Sequence, residues 1–300
     1  MLVKKFGDFT AVNEVNLQIP DGMCFGLLGP NGAGKSTFIS MIYGVCKRTS
    51  GHIRVFGKDP NTYGREIRQQ LGIVTQDNYL DKEMNVYENM VLYAKLMGVP
   101  KDEVAKRIDE LLDFMSLTHK KKAPIMALSG GMQRRLVFVR ALLGNPRMVI
   151  LDEPTTGLDP AVRHLLWEKV NELKRRGVTV LITTHYMDEA QNLCDDIVVM
   201  DEGKVREQGS PKSLINKHCP GYMAFVSDSE ENLQKFSRRQ DSSTALEIIR
   251  EQNVLALRSN DMANLQIHLK NADVDPILIR PTNLEDVFLK ITGRELSQNA

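Results

Sequence analysis

The stretch Gly29-Pro30-Asn31-Gly32-Ala33-Gly34-Lys35-Ser36-Thr37 carries the strongest chemical signal in this 300-residue chain. It fits the phosphate-loop pattern G-x-x-x-x-G-K-[ST]. Glycines let a backbone curl and turn its N–H groups into one concavity, which is what an anionic polyphosphate needs. A helix beginning at the loop adds the positive end of its dipole. In that arrangement Lys35 reaches the β- and γ-phosphates of a nucleoside triphosphate such as ATP, and the Ser36 hydroxyl holds Mg²⁺.

Further residues of the right chemistry stand at strand ends. Residues 148–151, Met-Val-Ile-Leu, read as a buried strand that ends in Asp152-Glu153-Pro154. A carboxylate at the C-terminal end of a parallel strand points into the crevice where ligands bind. Residues 71–74 form another strand, which delivers Gln76. Residues 178–184 form a third, and it ends at His185. Leu128-Ser129-Gly130-Gly131-Met132-Gln133 precedes a helix. Ser129 is a natural cap there, but a cap needs no glycines after it, and two glycines suit a close approach of backbone amides to phosphate.

The elements that must position these residues follow from periodicity. The apolar run at 25–28 is a strand before the phosphate loop, and a helix follows it from about Phe38. Residues 11–19 alternate like a half-buried strand. Either that first region starts abruptly at Met1 or residues precede it. Residues 53–56 read as a strand with a turn at Gly57-Lys58. Asn85 caps a helix, and Pro100-Lys101-Asp102-Glu103 opens another with the stripe Val104, Ile108, Leu111, Leu112 and Met115. Asp159-Pro160 starts a helix that Gly177 stops. Residues 197–200 and 204–207 flank a hairpin turn.

The expected fold is therefore α/β: a P-loop nucleotide-binding domain over 1–218 with a mostly parallel sheet and N-terminal antiparallel strands. A helical subdomain at about 85–145 is inserted in it. Cys219-Pro220-Gly221 marks a boundary, and 219–300 read as a small α+β appendage. Its strand candidates lie at 222–226, 254–258 and 276–279, with helices near 233, 262–269 and 284–291. Asn283 caps the last of these helices.

Composition narrows the function classes. With 39 basic against 38 acidic residues, no electrostatic case exists for nucleic acid or anionic lipid. The four cysteines have no C-x-x-C spacing and read as core residues in a reducing compartment. No apolar run reaches the ~18 residues of a membrane span, so a membrane role must come through a partner.

Taken together, these motifs resemble the nucleotide-binding subunit of ATP-binding-cassette (ABC) transporters across about residues 1–218. The resemblance implies that Asp152 holds Mg²⁺ and Glu153 polarises the attacking water. Gln76 becomes a Mg²⁺ ligand and γ-phosphate sensor, on a loop that faces the membrane partner. His185 contacts the γ-phosphate, and Phe6 stacks on adenine. Ser129, Gly130 and Gly131 meet the ATP held by a second copy in a head-to-tail dimer. Met132 stands where the family commonly has Gln. Thr156-Gly157-Leu158-Asp159 resembles the D-loop, and Asp159 serves equally as a helix cap. The strings LSGGMQRRL (128–136), DPAVRHLLWEKV (159–170) and PTNLEDVFLKITGREL (281–296) are similar to drug-resistance and nodulation-factor exporter ATPases, of the ABC-2 type. That implies an integral membrane permease as partner and a cytoplasmic location, peripheral on the inner face of the membrane. One cassette and no coiled-coil insertion separate the chain from ribosome- and DNA-acting relatives.

Overall fold

The computed structural model describes residues 1–237, 246–251 and 253–293. The chain divides into two compact units, one over Met1–Ser210 and one beginning at Pro211. The string expected at 281–296 extends into residues 294–296, outside the described residues.

The first unit opens with an antiparallel hairpin of β1 (Leu2–Phe6) and β2 (Phe9–Val15). Then follow β3 (Cys24–Leu28), α1 (Lys35–Ile42), α2 (Pro60–Arg68), β4 (Leu71–Val74), α3 (Val86–Leu96), α4 (Lys101–Phe114) and α5 (Gly130–Ala141). β5 (Met148–Asp152), α6 (Pro160–Arg175), β6 (Thr179–Thr183), α7 (Met187–Leu193), β7 (Asp196–Asp201) and β8 (Lys204–Gly209) complete it.

The central sheet runs β4-β5-β6-β3-β7-β8, parallel except for β8. Every residue of β3 and of β6 is buried, as expected of strands covered on both faces. Phe38, Ile39, Met41 and Ile42 of α1 pack with Leu27, Ile150, Leu181 and Val198 of the sheet. Burial of each such side chain stabilises the fold by roughly 1.5–3 kcal/mol. Because the strands are parallel, the loops after β3, β4, β5 and β6 all leave from the same end of the sheet. Those loops hold residues 29–34, Gln76, Glu153 and His185.

α3 starts at a capping box, with Asn85 Oδ1 accepting from Glu88 N–H and Glu88 Oε2 accepting from Asn85 N–H, both at 2.9 Å. α4 buries Val104, Ile108, Leu111 and Leu112, and Met115 beyond its end, so the expected stripe is the packed face.

Two local expectations are corrected. Residues 53–56 are not a strand, and only an isolated bridge joins Val55 to Lys58. Phe56 and Gly57 both have positive φ, which turns the chain at once. The strand expected to reach residue 19 ends at Val15. Glu14 has φ 55° beside a register shift, and the pairing stops one residue later, where Val15 meets Leu2 at the start of β1. Leu17 and Ile19 still pack on the core, so their alternation reflects burial without pairing.

The second unit begins with α8 (Pro211–His218) and continues through β9 (Tyr222–Ser227), α9 (Glu230–Ser237), β10 (Glu247–Glu251) and β11 (Val254–Ser259). α10 (Met262–Ala272), β12 (Leu278–Pro281) and α11 (Leu284–Thr292) follow. Its antiparallel sheet has the order β10-β11-β9-β12. Ala224, Val226, Leu255 and Leu257 pack against Phe236, Leu265 and Leu269. Chain order alone places α8 with the first unit. Here it packs on α11, and Lys290 Nζ and Arg258 Nη1 both donate to the His218 carbonyl, at 2.9 and 3.2 Å. β10, which sequence reading missed, is an edge strand with only two apolar residues between charged ones.

Candidate functional site

The phosphate loop leaves β3 and enters α1 with its backbone forced into unusual conformations. Gly29, Gly32 and Gly34 have φ of 153°, 82° and 96°. A Cβ on Gly29 would lie 2.2 Å from the Met200 carbonyl oxygen, and one on Gly34 would lie 2.2 Å from that of Ala11. The loop is gripped between β2 and the β7 end, and only glycine fits at those two points. Ala33 is buried, while Asn31 and Ser36 are exposed. Lys35 is 8% exposed, and its Nζ donates to the carbonyls of Gly29 at 2.6 Å and Pro30 at 3.0 Å. Burial lowers the Lys35 pKa, and the charges of Glu153 and Asp152 oppose that shift.

Asp152 and Glu153 stand at the end of β5, where Asp152 pairs with Thr183 of β6. The Thr183 hydroxyl donates to Asp152 Oδ1 at 2.5 Å and accepts from Glu153 N–H at 3.1 Å. Glu153 has φ 46°. That left-handed conformation costs a non-glycine residue roughly 1–2 kcal/mol, so surrounding contacts must hold it. The Thr183 carbonyl also accepts from Glu153 N–H at 3.0 Å. On the side chain, Thr156 Oγ1 donates to Glu153 Oε2 at 3.3 Å, and His185 Nδ1 lies 3.4 Å from the same oxygen. His185 also packs against Tyr186, ring centres 4.2 Å apart.

Gln76 is exposed after β4. Its carbonyl accepts at 3.0 Å from Arg134 Nη1, and Arg134 also donates to the carbonyls of Asp152 and Glu153, at 3.2 and 2.9 Å. Lys35, Gln76, Asp152, Glu153 and His185 are thus tied to one end of the sheet. Sequence reading assigned nothing to Arg134. Residue type gave no signal there, since Arg134 lies between Gln133 and Arg135 and its burial shows only in the fold.

Ser129 and Gly130 are exposed, and Ser129 Oγ accepts from Met132 N–H at 3.3 Å as the cap of α5. A Cβ on Gly130 would meet nothing within 4 Å, whereas one on Gly131 would lie 3.3 Å from Val162. Asp159 does cap α6, accepting from Val162 N–H at 3.0 Å. Phe6 is 52% exposed at the end of β1, paired in register with Phe9, and Lys4 Nζ sits 4.4 Å from its ring centre.

A phosphate-binding loop, two carboxylates and a histidine at one sheet end can bind a nucleoside triphosphate and activate water against it. Comparison with known proteins agrees. Residues 12–156 match the family model described as ABC transporter. "Nod factor export ATP-binding protein I" of Rhizobium sp. (strain N33) is 39% identical over 300 residues, spanning 98% of this chain and 96% of that protein. The chain belongs to the ATP-binding subunits of ABC transporters. It is therefore an ATPase. The protein of the same name from Rhizobium johnstonii (strain DSM 114642 / LMG 32736 / 3841) is 41% identical, covering 98% of this chain and 94% of its own length. Residues 257–293 match a second model, "Nodulation factor export protein NodI, C-terminal domain". Among solved structures, a dimeric ATP-binding cassette in a post-hydrolysis state with ADP and Pi is similar with TM-score 0.64 and 28% identity, over 70% of this ABC subunit and 96% of that chain.

Proposed function

We propose that this ABC subunit drives an ABC-2-type exporter: two copies close on ATP head to tail and pull on a separate integral membrane permease. The observation that carries the reading is the asymmetry of the motifs. Lys35, Asp152, Glu153 and His185 gather at one sheet end, while Ser129 and Gly130 are exposed with open space over Gly130. Residues 128–133, the signature stretch at the start of α5, present a face that suits the nucleotide of a facing copy. The solved dimeric cassette with ADP and Pi supports the same arrangement. The exporter names of the relatives, and a match that continues into the second unit, support the direction of transport. Among the described residues no helix is long and apolar enough to cross a membrane, so the permease supplies the span.

Each residue has a task in this reading. The amides of residues 29–37 line the triphosphate, and Lys35 leaves its carbonyl partners for the β- and γ-phosphates. Phe6 offers its exposed ring to adenine. Glu153 takes a proton from the water that attacks the γ-phosphorus, the β–γ bridging bond breaks, and ADP and phosphate leave. His185 contacts the γ-phosphate and keeps Glu153 turned toward the water. Ser129, Gly130 and Gly131 close over the γ-phosphate from the second copy.

The donor set also fits Mg²⁺. Ser36, Gln76 and Asp152 would hold it, all through oxygen and with a single carboxylate, as this hard cation favours beside phosphates. Bound there, the ion would neutralise phosphate charge. Gel filtration of Glu153→Gln tests the dimer: the variant should run as a dimer with MgATP and as a monomer without it. A monomer under both conditions would sink the composite site. Detergent co-purification should recover a membrane permease, and recovery of ribosomes or DNA in its place would sink the exporter role.

A further inference from the structure

Arg134 lies on α5, five residues after Ser129, and is 4% exposed. Its guanidinium reaches two loops far apart in sequence. Nη1 donates to the carbonyls of Thr75 at 2.6 Å and Gln76 at 3.0 Å, and to Asn78 Oδ1 at 3.3 Å. Nη2 donates to the carbonyls of Asp152 and Glu153, and Nε to that of Pro154 at 2.8 Å. Three successive carbonyls around the left-handed Glu153 are therefore held by one side chain. The guanidinium fork is rigid and planar, so movement of either set of acceptors must break bonds or carry the other set along. Every one of these acceptors is a neutral oxygen. Burial lowers the Arg134 pKa, and the charges of Asp152, Glu189, Asp77 and Glu153 oppose that shift. The cation is thus balanced at a distance and spends its hydrogen bonds on backbone geometry.

We infer that Arg134 is a positioning residue: it locks the conformation of Glu153 to that of residues 75–78. Displacement of the Gln76 loop shifts the Arg134 fork, and the fork relaxes or restores the turn that aims the Glu153 carboxylate. The signature helix is the lever between them. This rests on the proposed role of Glu153 as base and of the Gln76 loop as the permease-facing segment.

Arg134→Lys in the full chain is the direct test, because lysine keeps the charge and loses the fork. ATP affinity should stay within about threefold, while kcat falls about 10- to 100-fold, as for loss of an outer partner of a reacting group. In a Glu153→Gln background the same change should alter residual turnover less than about twofold, because groups acting as a unit are not additive. An unchanged kcat in Arg134→Lys, or an equal loss in both backgrounds, overturns the inference. Hydrogen exchange on the unmodified chain covers the case of a variant that does not fold. Segments 75–78 and 152–155 should open together, within about threefold in rate, as one cooperative unit. Opening rates that differ by more than about tenfold overturn the coupling. Normal turnover in Glu153→Gln alone would instead overturn the reading of Glu153, and the exchange measurement would still decide the lock.

Discussion

His185 Nδ1 lies 3.4 Å from Glu153 Oε2, across the ends of two neighbouring parallel strands. At that separation the imidazole restrains the carboxylate. Its loss should cost orientation more than binding. His185→Ala is expected to lower kcat about 10²-fold while changing ATP affinity less than about threefold. Steady-state kinetics beside equilibrium titration with ATP separates the two, and a variant that loses affinity and keeps kcat would assign His185 to binding alone.

Glu153 itself should be more costly to lose. General-base catalysis contributes about 10²- to 10⁴-fold, so Glu153→Gln should lose turnover by that factor and still bind ATP. Gln keeps the length and one acceptor oxygen, so the left-handed turn and its Thr183 bonds persist. Hydrolysis at the normal rate in this variant would remove Glu153 from the role of base.

Most of the candidate site is legible in the sequence because its residues sit at strand ends, where an apolar run gives way to a polar residue. Asp152, Gln76 and His185 were each found that way. Arg134 was not, because its partners are carbonyls of loops some 20 to 60 residues away, as the separations of 18–20 and 56–59 show. Backbone acceptors leave no residue-type signature. Fold prediction failed for a related reason at residues 53–56. The apolar alternation there was real, but positive φ at a phenylalanine, Phe56, cannot be read from residue type. α8 was assigned to the first unit on chain order, and its packing partner α11 lies about 70 residues on, as the 72-residue span from His218 to Lys290 indicates.

Lys35 gives a pH dependence with a definite sign. Burial lowers its pKa from 10.5, so the folded chain releases this proton at lower pH than the unfolded chain does. A buried charged Lys35 therefore works against folding, and that penalty fades as pH rises through the folded pKa toward 10.5. Phosphates favour the charged form, so ATP binding must raise this pKa and take up a proton at alkaline pH. ATP affinity should fall as pH climbs through the folded value, and titrations in buffers of different ionisation enthalpy should register the uptake. Lys35→Ala should show neither a comparable affinity nor that uptake. Binding with no proton linkage up to pH 10.5 would place Lys35 away from the phosphates.

Gly34 tests the loop without touching a reacting group. Its φ of 96° penalises any side chain, and a Cβ would be driven to 2.2 Å from the Ala11 carbonyl oxygen, with Gly203 Cα 3.5 Å away. Both obstacles are backbone, so no side chain can swing clear. The left-handed conformation alone costs roughly 1–2 kcal/mol, and displacement of β2 adds to it. Gly34→Ala should therefore lower the melting temperature and weaken ATP binding by about tenfold or more, since 1.4 kcal/mol is a factor of ten. Gly130→Ala is the contrasting change. Its Cβ meets nothing within 4 Å in a single copy, and alanine at a helix start removes glycine's extra chain entropy. The isolated chain should melt no lower and bind ATP as before, while turnover falls because the methyl group intrudes on the nucleotide of a facing copy. If Gly34→Ala bound ATP normally, the loop would not be the phosphate cradle; if Gly130→Ala turned over normally, the signature face would not meet a second nucleotide.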